Sequence, residues 1–292
     1  MADGLGNQLF RHAAALGLAS RTRRAIYYDL SYYTVVPGRK YQMDHFLGPS
    51  KIPKWNFFPR MAYQVAYLIY KKACPGLFPY LLRCLHVYRI SEGSPWKPEP
   101  AYFDPALENI PQTLYVDGYC QHVDYLPDEA LLRREFSFVH PPKERNCDWL
   151  TCFSDTASVS VHVRRADYLA LSADAAIHVD YYRQAAEKIR AIEPNPLWVV
   201  FSDDSAWCRQ HLTFMEDAVF VDGNMDEPWE DLRLMSACRH HIIANSSFSW
   251  WGAYLGRDPT GVTIAPEYWW KNLKTSTCFL KKGWITCPSF VG

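Results

Sequence analysis

Seven consecutive residues, His162-Val163-Arg164-Arg165-Ala166-Asp167-Tyr168, set an imidazole, two guanidiniums and a carboxylate just beyond the β-branched run Ala157-Ser158-Val159-Ser160-Val161. That run reads as a buried strand. In open α/β sheets, ligands sit outside the carboxyl ends of the strands. Two adjacent Arg there suit concentrated negative charge, most simply a diphosphate, which guanidinium grips through paired hydrogen bonds. His162 and Arg164 lie two apart on a strand and project to one face. A neutral His beside two Arg can hydrogen-bond a base or a phosphate; a lone strand His is also a common core residue. The plain alternative for the cluster is a surface ion pair between Arg165 and Asp167, of small energetic weight.

Three further segments carry chemistry. In Asn245-Ser246-Ser247-Phe248-Ser249-Trp250-Trp251, Ser246 or Ser247 can cap the following helix. A phosphate can use the same hydroxyls and backbone N–H groups. The two Trp read as core, and the glycosylation sequon Asn245-Ser246-Ser247 reads as chance at a strand–helix junction. In Gly4-Leu5-Gly6-Asn7-Gln8-Leu9-Phe10, two glycines before a helix allow close backbone approach to a ligand, or make an ordinary turn. It is no dinucleotide fingerprint, because Leu9 stands where the third Gly belongs, and no Gly-Lys-Ser/Thr follows to make a Walker loop. Asn7 and Gln8 carry amides suited to sugar hydroxyls. Asp203-Asp204 ends a strand and is conceivable as a metal-binding pair, although two Arg nearby can already neutralise a diphosphate. Asp231 starts a helix, where an acid suits the helix dipole or can accept the N–H donors of a guanine.

The elements that must position these residues are clearest in the second half. Strands are expected at Val159–Val163, Leu197–Phe201, Val219–Val221, His241–Ala244 and Val262–Ile264. Helices are expected from about Asp180 to Ile192, from Ser205, from Glu230 to Arg239 and after Ser247. This alternation means a parallel sheet covered on both faces. In the first half, a helix runs to about Arg23, strands are read at Ala25–Tyr28 and Leu114–Val116, and Val123–Phe136 reads as helical. The Pro- and aromatic-rich region Pro37–Pro105 reads as helices and loops, and Pro141–Asn146 as a linker. With 292 residues, two domains are expected, 1–145 and 146–292, the last segment returning to the first domain.

Composition narrows the function classes. Hydrophobic content of 49% with 21% charged residues is globular. Lys+Arg and Asp+Glu balance at 31 each, which argues against a general nucleic-acid binder. The nine cysteines are odd in number and form no CxxC pair, as in a reducing compartment. Cys238, His240 and His241 lie close in sequence but lack a partner cluster with zinc spacing. No signal peptide is read at the start, and charges and prolines interrupt the apolar stretch Met61–Ile90. That stretch is expected to be an inserted helical pair.

Taken in order, the Gly4–Phe10, His162–Tyr168 and Asn245–Trp251 segments resemble the motifs of the α-1,2-fucosyltransferase family, with Gly118-Tyr119-Cys120-Gln121 as a fourth element. The resemblance spans nearly the whole chain. It implies an α/β, GT-B-like protein with two Rossmann-type parallel-sheet domains facing a cleft. It also implies inverting transfer of fucose from GDP-β-L-fucose to O2 of a galactoside, with no metal or other cofactor. By resemblance, Arg164 grips the diphosphate with Arg165 beside it, His162 and Asp231 hold guanine, and Ser247 touches phosphate. Asp203, Asn245, Ser246 and Phe248 complete the donor set, and Gly4, Gly6, Asn7, Gln8, Tyr119 and Gln121 the acceptor side. Asp167 and Asp174 are candidate bases, alongside late deprotonation without a dedicated base. The family opens with a strand and Gly-Gly-Leu-Gly-Asn-Gln, whereas here Asp3 replaces a Gly and the strand is missing. The partners expected are GDP-fucose and a galactose-containing oligosaccharide, with no nucleic acid. The expected location is cytoplasmic, peripheral to an inner membrane where the acceptor is lipid-linked. Other readings are another GDP-sugar transferase, a protein O-fucosyltransferase, or a non-catalytic sugar-nucleotide-binding protein.

Overall fold

The computed structural model describes residues 1, 3–30, 32–36, 38–54, 87–90, 104–116, 118–172, 175–270, 273–274 and 279–290. Two compact units divide between Val139 and His140.

The first unit opens with helix α1 (Leu5–Thr22), whose buried face includes Leu9, Phe10, Ala13, Ala14 and Leu18. A four-residue helix α2 (Tyr32–Val35) follows. The expected strand at Ala25–Tyr28 does not form; Tyr28 makes a single parallel bridge to Lys54. Strands β1 (Val87–Ile90) and β2 (Thr113–Val116) pair in parallel, so the end of the expected helical pair Met61–Ile90 is a strand. Residues 61–86 lie outside the described residues. The expected helix Val123–Phe136 is shortened to α3 (Glu129–Glu135), because Pro127 intervenes and Asp128 caps a fresh start through the N–H groups of Ala130 and Leu131.

The second unit is a six-stranded, wholly parallel sheet. Its strands are β3 (Ser158–Val163), β4 (Leu197–Ser202), β5 (Val219–Phe220), β6 (His240–Ile242), β7 (Thr263–Pro266) and β10 (Ile285–Cys287). An antiparallel pair, β8 (Tyr268–Trp270) and β9 (Leu273–Lys274), precedes the last strand. The order is β10-β7-β6-β3-β4-β5. The helices are α4 (Glu144–Asp155), α5 (Ala166–Leu171), α6 (Val179–Arg190), α7 (Ser205–His211), α8 (Pro228–Ala237) and α9 (Ser247–Tyr254). Alternation along β3 serves both faces: Val159, Val161 and Val163 pack with Tyr181, Tyr182, Ala185 and Ile189 of α6. On the other face, Phe153, Val199, Phe201, Leu234 and Met235 join α4 and α8 to the sheet. The polar side of β3 is satisfied there too, with Ser160 Oγ 2.8 Å from His241 Nδ1.

Two expectations about boundaries meet a different arrangement. Pro141–Asn146 is not a free linker: Glu144 opens α4, and the Lys143 N–H donates to Glu230 Oε2 at 3.1 Å. The last strand β10 pairs with β7 and stays in the second unit.

A Cβ on Gly17 would stand 1.9 Å from the Tyr125 carbonyl oxygen, so α1 lies against the backbone of the 123–125 turn. In an open helix Gly→Ala stabilises by about 1 kcal/mol. Gly17→Ala should instead destabilise by about 1–3 kcal/mol in denaturant titrations, by forced overpacking. A raised midpoint would contradict this close approach.

Candidate functional site

The strand order supplies the first constraint. From β3 the chain steps to β4 and β5 on one side, then returns to β6, β7 and β10 on the other. The order therefore reverses between β3 and β6, and crevices outside the carboxyl ends of such a pair are where open parallel sheets bind ligands. Beyond β3 lie Arg164 and Arg165; beyond β6 lie Asn245, Ser246 and the start of α9.

Helix α9 is held from its far end. Trp250 and Trp251 are fully buried, Trp250 Nε1 donates to the Phe279 carbonyl at 2.7 Å, and Trp250 stacks on Tyr254. Ser246 caps the helix, its Oγ 3.3 Å from the Phe248 N–H. Ser247 opens the first turn, where the leading N–H groups have no partner inside the helix. Phe248 leans on the His162 ring at 5.7 Å between centroids, joining the two sides of the reversal. A second joint is the Tyr168 hydroxyl, which donates to the Asn245 carbonyl at 2.8 Å while its ring stacks on Trp270. Asn245 itself is fully buried, its Nδ2 donating to the carbonyls of Ala175 and Trp269. That burial removes it as a glycosylation acceptor.

The two Arg separate. Arg164 Nη2 lies 2.5 Å from Asp167 Oδ2, and its Nε lies 3.2 Å from Asp203 Oδ2. Asp203 also accepts the Arg165 backbone N–H at 2.9 Å. The Arg165 guanidinium turns toward β4, 3.9 Å over the Trp207 ring and 3.6 Å from Asp204 Oδ2. The plain alternative of an ion pair between Arg165 and Asp167 does not form: Asp167 pairs with Arg164, and Arg165 with Asp204. Asp204 caps α7 by accepting from the Trp207 N–H at 3.1 Å. His162 is buried and its imidazole is pushed down to about 3, first by burial and then by the Arg164 charge. It is therefore neutral near pH 7 and can act as both donor and acceptor. Its buried Nδ1 has no hydrogen-bond partner.

Asp231 sits in a separate polar knot at the start of α8. Asn224 Nδ2 donates to Asp231 Oδ1 at 2.8 Å, and Asn146 Nδ2 donates to Glu230 Oε2 at 2.8 Å. Burial pushes the Asp231 carboxyl up to about 6, helped by Glu230 and opposed by the Asn224 amide. Nothing in the periodicity around Asn224 marks it as the buried hub of this knot. Cys238, His240 and His241 go to separate partners: the Leu234 carbonyl, the Val262 N–H and Ser160.

In the first unit, the loop after β2 meets the start of α1. Gln121 Nε2 donates to Asn7 Oδ1 at 3.1 Å, and the Arg11 guanidinium lies 5.4 Å over the Tyr119 ring. Gly4 occupies the N-cap and Gly6 is buried in the first turn. Gln8 goes elsewhere: its amide donates to the Asp3 and Lys40 carbonyls and accepts from the Gln42 N–H, each at 2.9 Å. That amide is spent on the fold rather than offered to a sugar. Asp3 has φ +62°, a left-handed conformation that glycine adopts freely and Asp tolerates. Its carboxylate accepts from the Tyr32 hydroxyl at 2.7 Å, a contact with no sequence signal. Asp174 lies outside the described residues.

The sequence model of Glycosyl transferase family 11 matches residues 104–287. An alpha-1,2-colitosyltransferase of Escherichia coli is 30% identical over 93% of this chain and 91% of its own length. The O-antigen biosynthesis glycosyltransferase WbnK of Escherichia coli is 26% identical over 92% of this chain and 93% of its own length. Galactoside alpha-(1,2)-fucosyltransferase 1 of Ateles belzebuth is 34% identical over 44% of this chain and 37% of its own length.

The raised Asp231 carboxyl makes a stability prediction. Its folded value of about 6 lies above the unfolded Asp value of about 3.9, so the folded state keeps this proton longer. Its contribution is most favourable below about pH 4 and declines as pH rises to about 6. Asp231→Asn removes that decline. The variant's stability relative to the parent should rise by roughly 2 kcal/mol between about pH 4 and pH 7. A difference that stays flat with pH would contradict the burial of this carboxyl.

Proposed function

This chain belongs to glycosyl transferase family 11, and we propose that it moves L-fucose from GDP-β-L-fucose to O2 of a galactoside, with inversion and without a metal. The observation that carries the reading is that the Arg164 loop and the start of α9 follow the carboxyl ends of the adjacent strands β3 and β6, where the strand order reverses. Loss of GDP puts negative charge on the β-phosphate as the sugar becomes oxocarbenium-like. A fixed guanidinium and helix-end N–H groups stabilise charge where it develops, which lowers the barrier to the chemical step. In this reading Arg164, Ser246 and Ser247 serve the diphosphate, with Phe248 beside them on His162. Neutral His162 and ionised Asp231 read guanine. Arg165 acts from behind, through its backbone N–H on Asp203 and its seat on Trp207.

Galactose recognition is assigned to the first unit, to Asn7, Tyr119 and Gln121. The α-1,2 linkage and the galactoside acceptor are supported by the names of the relatives and by the motif resemblance. The O-antigen biosynthesis relative supports an O-antigen glycan as acceptor. Among the described residues no helix is long and apolar enough to cross a membrane. A lipid-linked acceptor would then bring the protein to a membrane surface through the substrate. A second reading of the donor rests on the colitosyltransferase likeness, which covers 93% of this chain. Colitose is L-fucose without its 3-hydroxyl, so the same site chemistry can serve either sugar.

The test is an assay with GDP-fucose and GDP-colitose, a panel of β-galactosides and EDTA, following GDP release and product linkage. Transfer to galactose O2 in EDTA is expected, and the donor giving the larger kcat/KM identifies the sugar. Arg164→Ala should keep its fold by circular dichroism and lose about 100-fold or more in kcat, the usual effect of removing a fixed donor to developing charge. Near-normal turnover in that variant, or dependence on added divalent metal, would sink the proposal.

A further inference from the structure

The charges around Arg164 do not balance for an anionic ligand. Two guanidiniums, Arg164 and Arg165, face three carboxylates, Asp167, Asp203 and Asp204. A diphosphate adds about two to three further negative charges and competes with these carboxylates for guanidinium, so the most weakly held of them is the one to yield.

The geometry points to which one. Asp203 is held through both oxygens, Oδ1 by the Arg165 N–H at 2.9 Å and Oδ2 by Arg164 Nε at 3.2 Å. Asp204 is held by the Trp207 N–H and the Arg165 guanidinium. Asp167 is held through Oδ2 alone, while its Oδ1 has no hydrogen-bond partner. Its side chain is 44% exposed, against 20% for Asp203. Arg165 is committed to Trp207, so Arg164 is the cation that can change partners.

We propose that the donor's diphosphate takes Arg164 Nη2 from Asp167, and that the freed Asp167 carboxylate becomes the base for the acceptor hydroxyl. This rests on the nucleotide-sugar reading above and adds the coupling between donor binding and base activation. In the step, the acceptor oxygen bonds to the anomeric carbon and the bond from that carbon to the β-phosphate oxygen breaks. The electron pair leaves on GDP, and the hydroxyl proton passes to Asp167. While its Oδ2 is held by Arg164 Nη2, that oxygen is not available to the acceptor hydroxyl. Loss of this partner to the diphosphate frees it, so the base is available in the loaded enzyme.

The experiment compares the full-length protein with Asp167→Asn, Asp167→Ala and Asp203→Asn, using calorimetric titration with GDP and steady-state transfer. Thermal unfolding confirms that each variant folds. Both Asp167 variants should bind GDP about threefold or more tightly than the parent, because a competitor for Arg164 is gone. Their kcat should fall about 100-fold or more, the usual cost of losing a general base. Asp203→Asn should weaken GDP binding, because Asp203 positions both Arg164 and the Arg165 backbone. Weaker GDP binding by folded Asp167 variants, or retained kcat, would overturn the exchange while leaving the nucleotide reading intact. No GDP binding by the parent protein would overturn the nucleotide reading and the exchange together.

Discussion

Every strand of the second unit's six-stranded sheet runs the same way, and this one constraint organises the rest. Parallel strands bring all their carboxyl ends to a single edge, and a helical crossover must return the chain each time. Because β4 and β5 lie on one side of β3 and β6, β7 and β10 on the other, the two chains leaving β3 and β6 diverge at that edge. The diverging ends carry the Arg164 loop and the start of α9. Polar backbone and charged side chains can collect there without being forced into the core. The apolar residues of β3 and β4, buried on both faces, hold the frame that keeps them in place.

Rigidity at the edge comes from contacts some distance behind it. Trp250 and Trp251 anchor α9 in the interior, so its first turn cannot drift. Tyr168 ties the loop after β3 to the Asn245 carbonyl, and Phe248 rests on His162. Asp203 then orders both Arg, one through its guanidinium and the other through its backbone. Buried anchors and the hydrogen bonds of Trp250, Tyr168 and Asp203 together hold this edge in place.

Local patterns in the chain make much of the second unit legible. The runs at Ser158–Val163 and Leu197–Ser202 are apolar and β-branched, bounded by polar turns, and they are strands β3 and β4. Pro228 starts α8 two residues ahead of the helix expected from Glu230. The first unit is harder to read. Tyr28 sits in an apolar run but finds a single bridge partner, Lys54, because strand formation depends on a neighbour that the run cannot specify. Glu144–Asp155 hides as a helix because its opening is as polar as a linker, and its buried contacts, Asn146 and Phe153, are far apart. The motifs single out Arg164, His162 and Ser247 as candidates, but not their partners. Asp203 on Arg164, Trp207 under Arg165 and Asn224 beside Asp231 are tertiary pairings that no spacing announces. Gln8 shows the converse: a motif residue suited to sugar whose amide is used by the Asp3, Lys40 and Gln42 backbone.

A crystal structure of the protein with GDP bound decides whether the reversal between β3 and β6 is a diphosphate site. The β-phosphate is expected between the Arg164 guanidinium and the Ser247–Phe248 end of α9, with guanine near His162. Phosphates bound away from both Arg164 and α9 would contradict it.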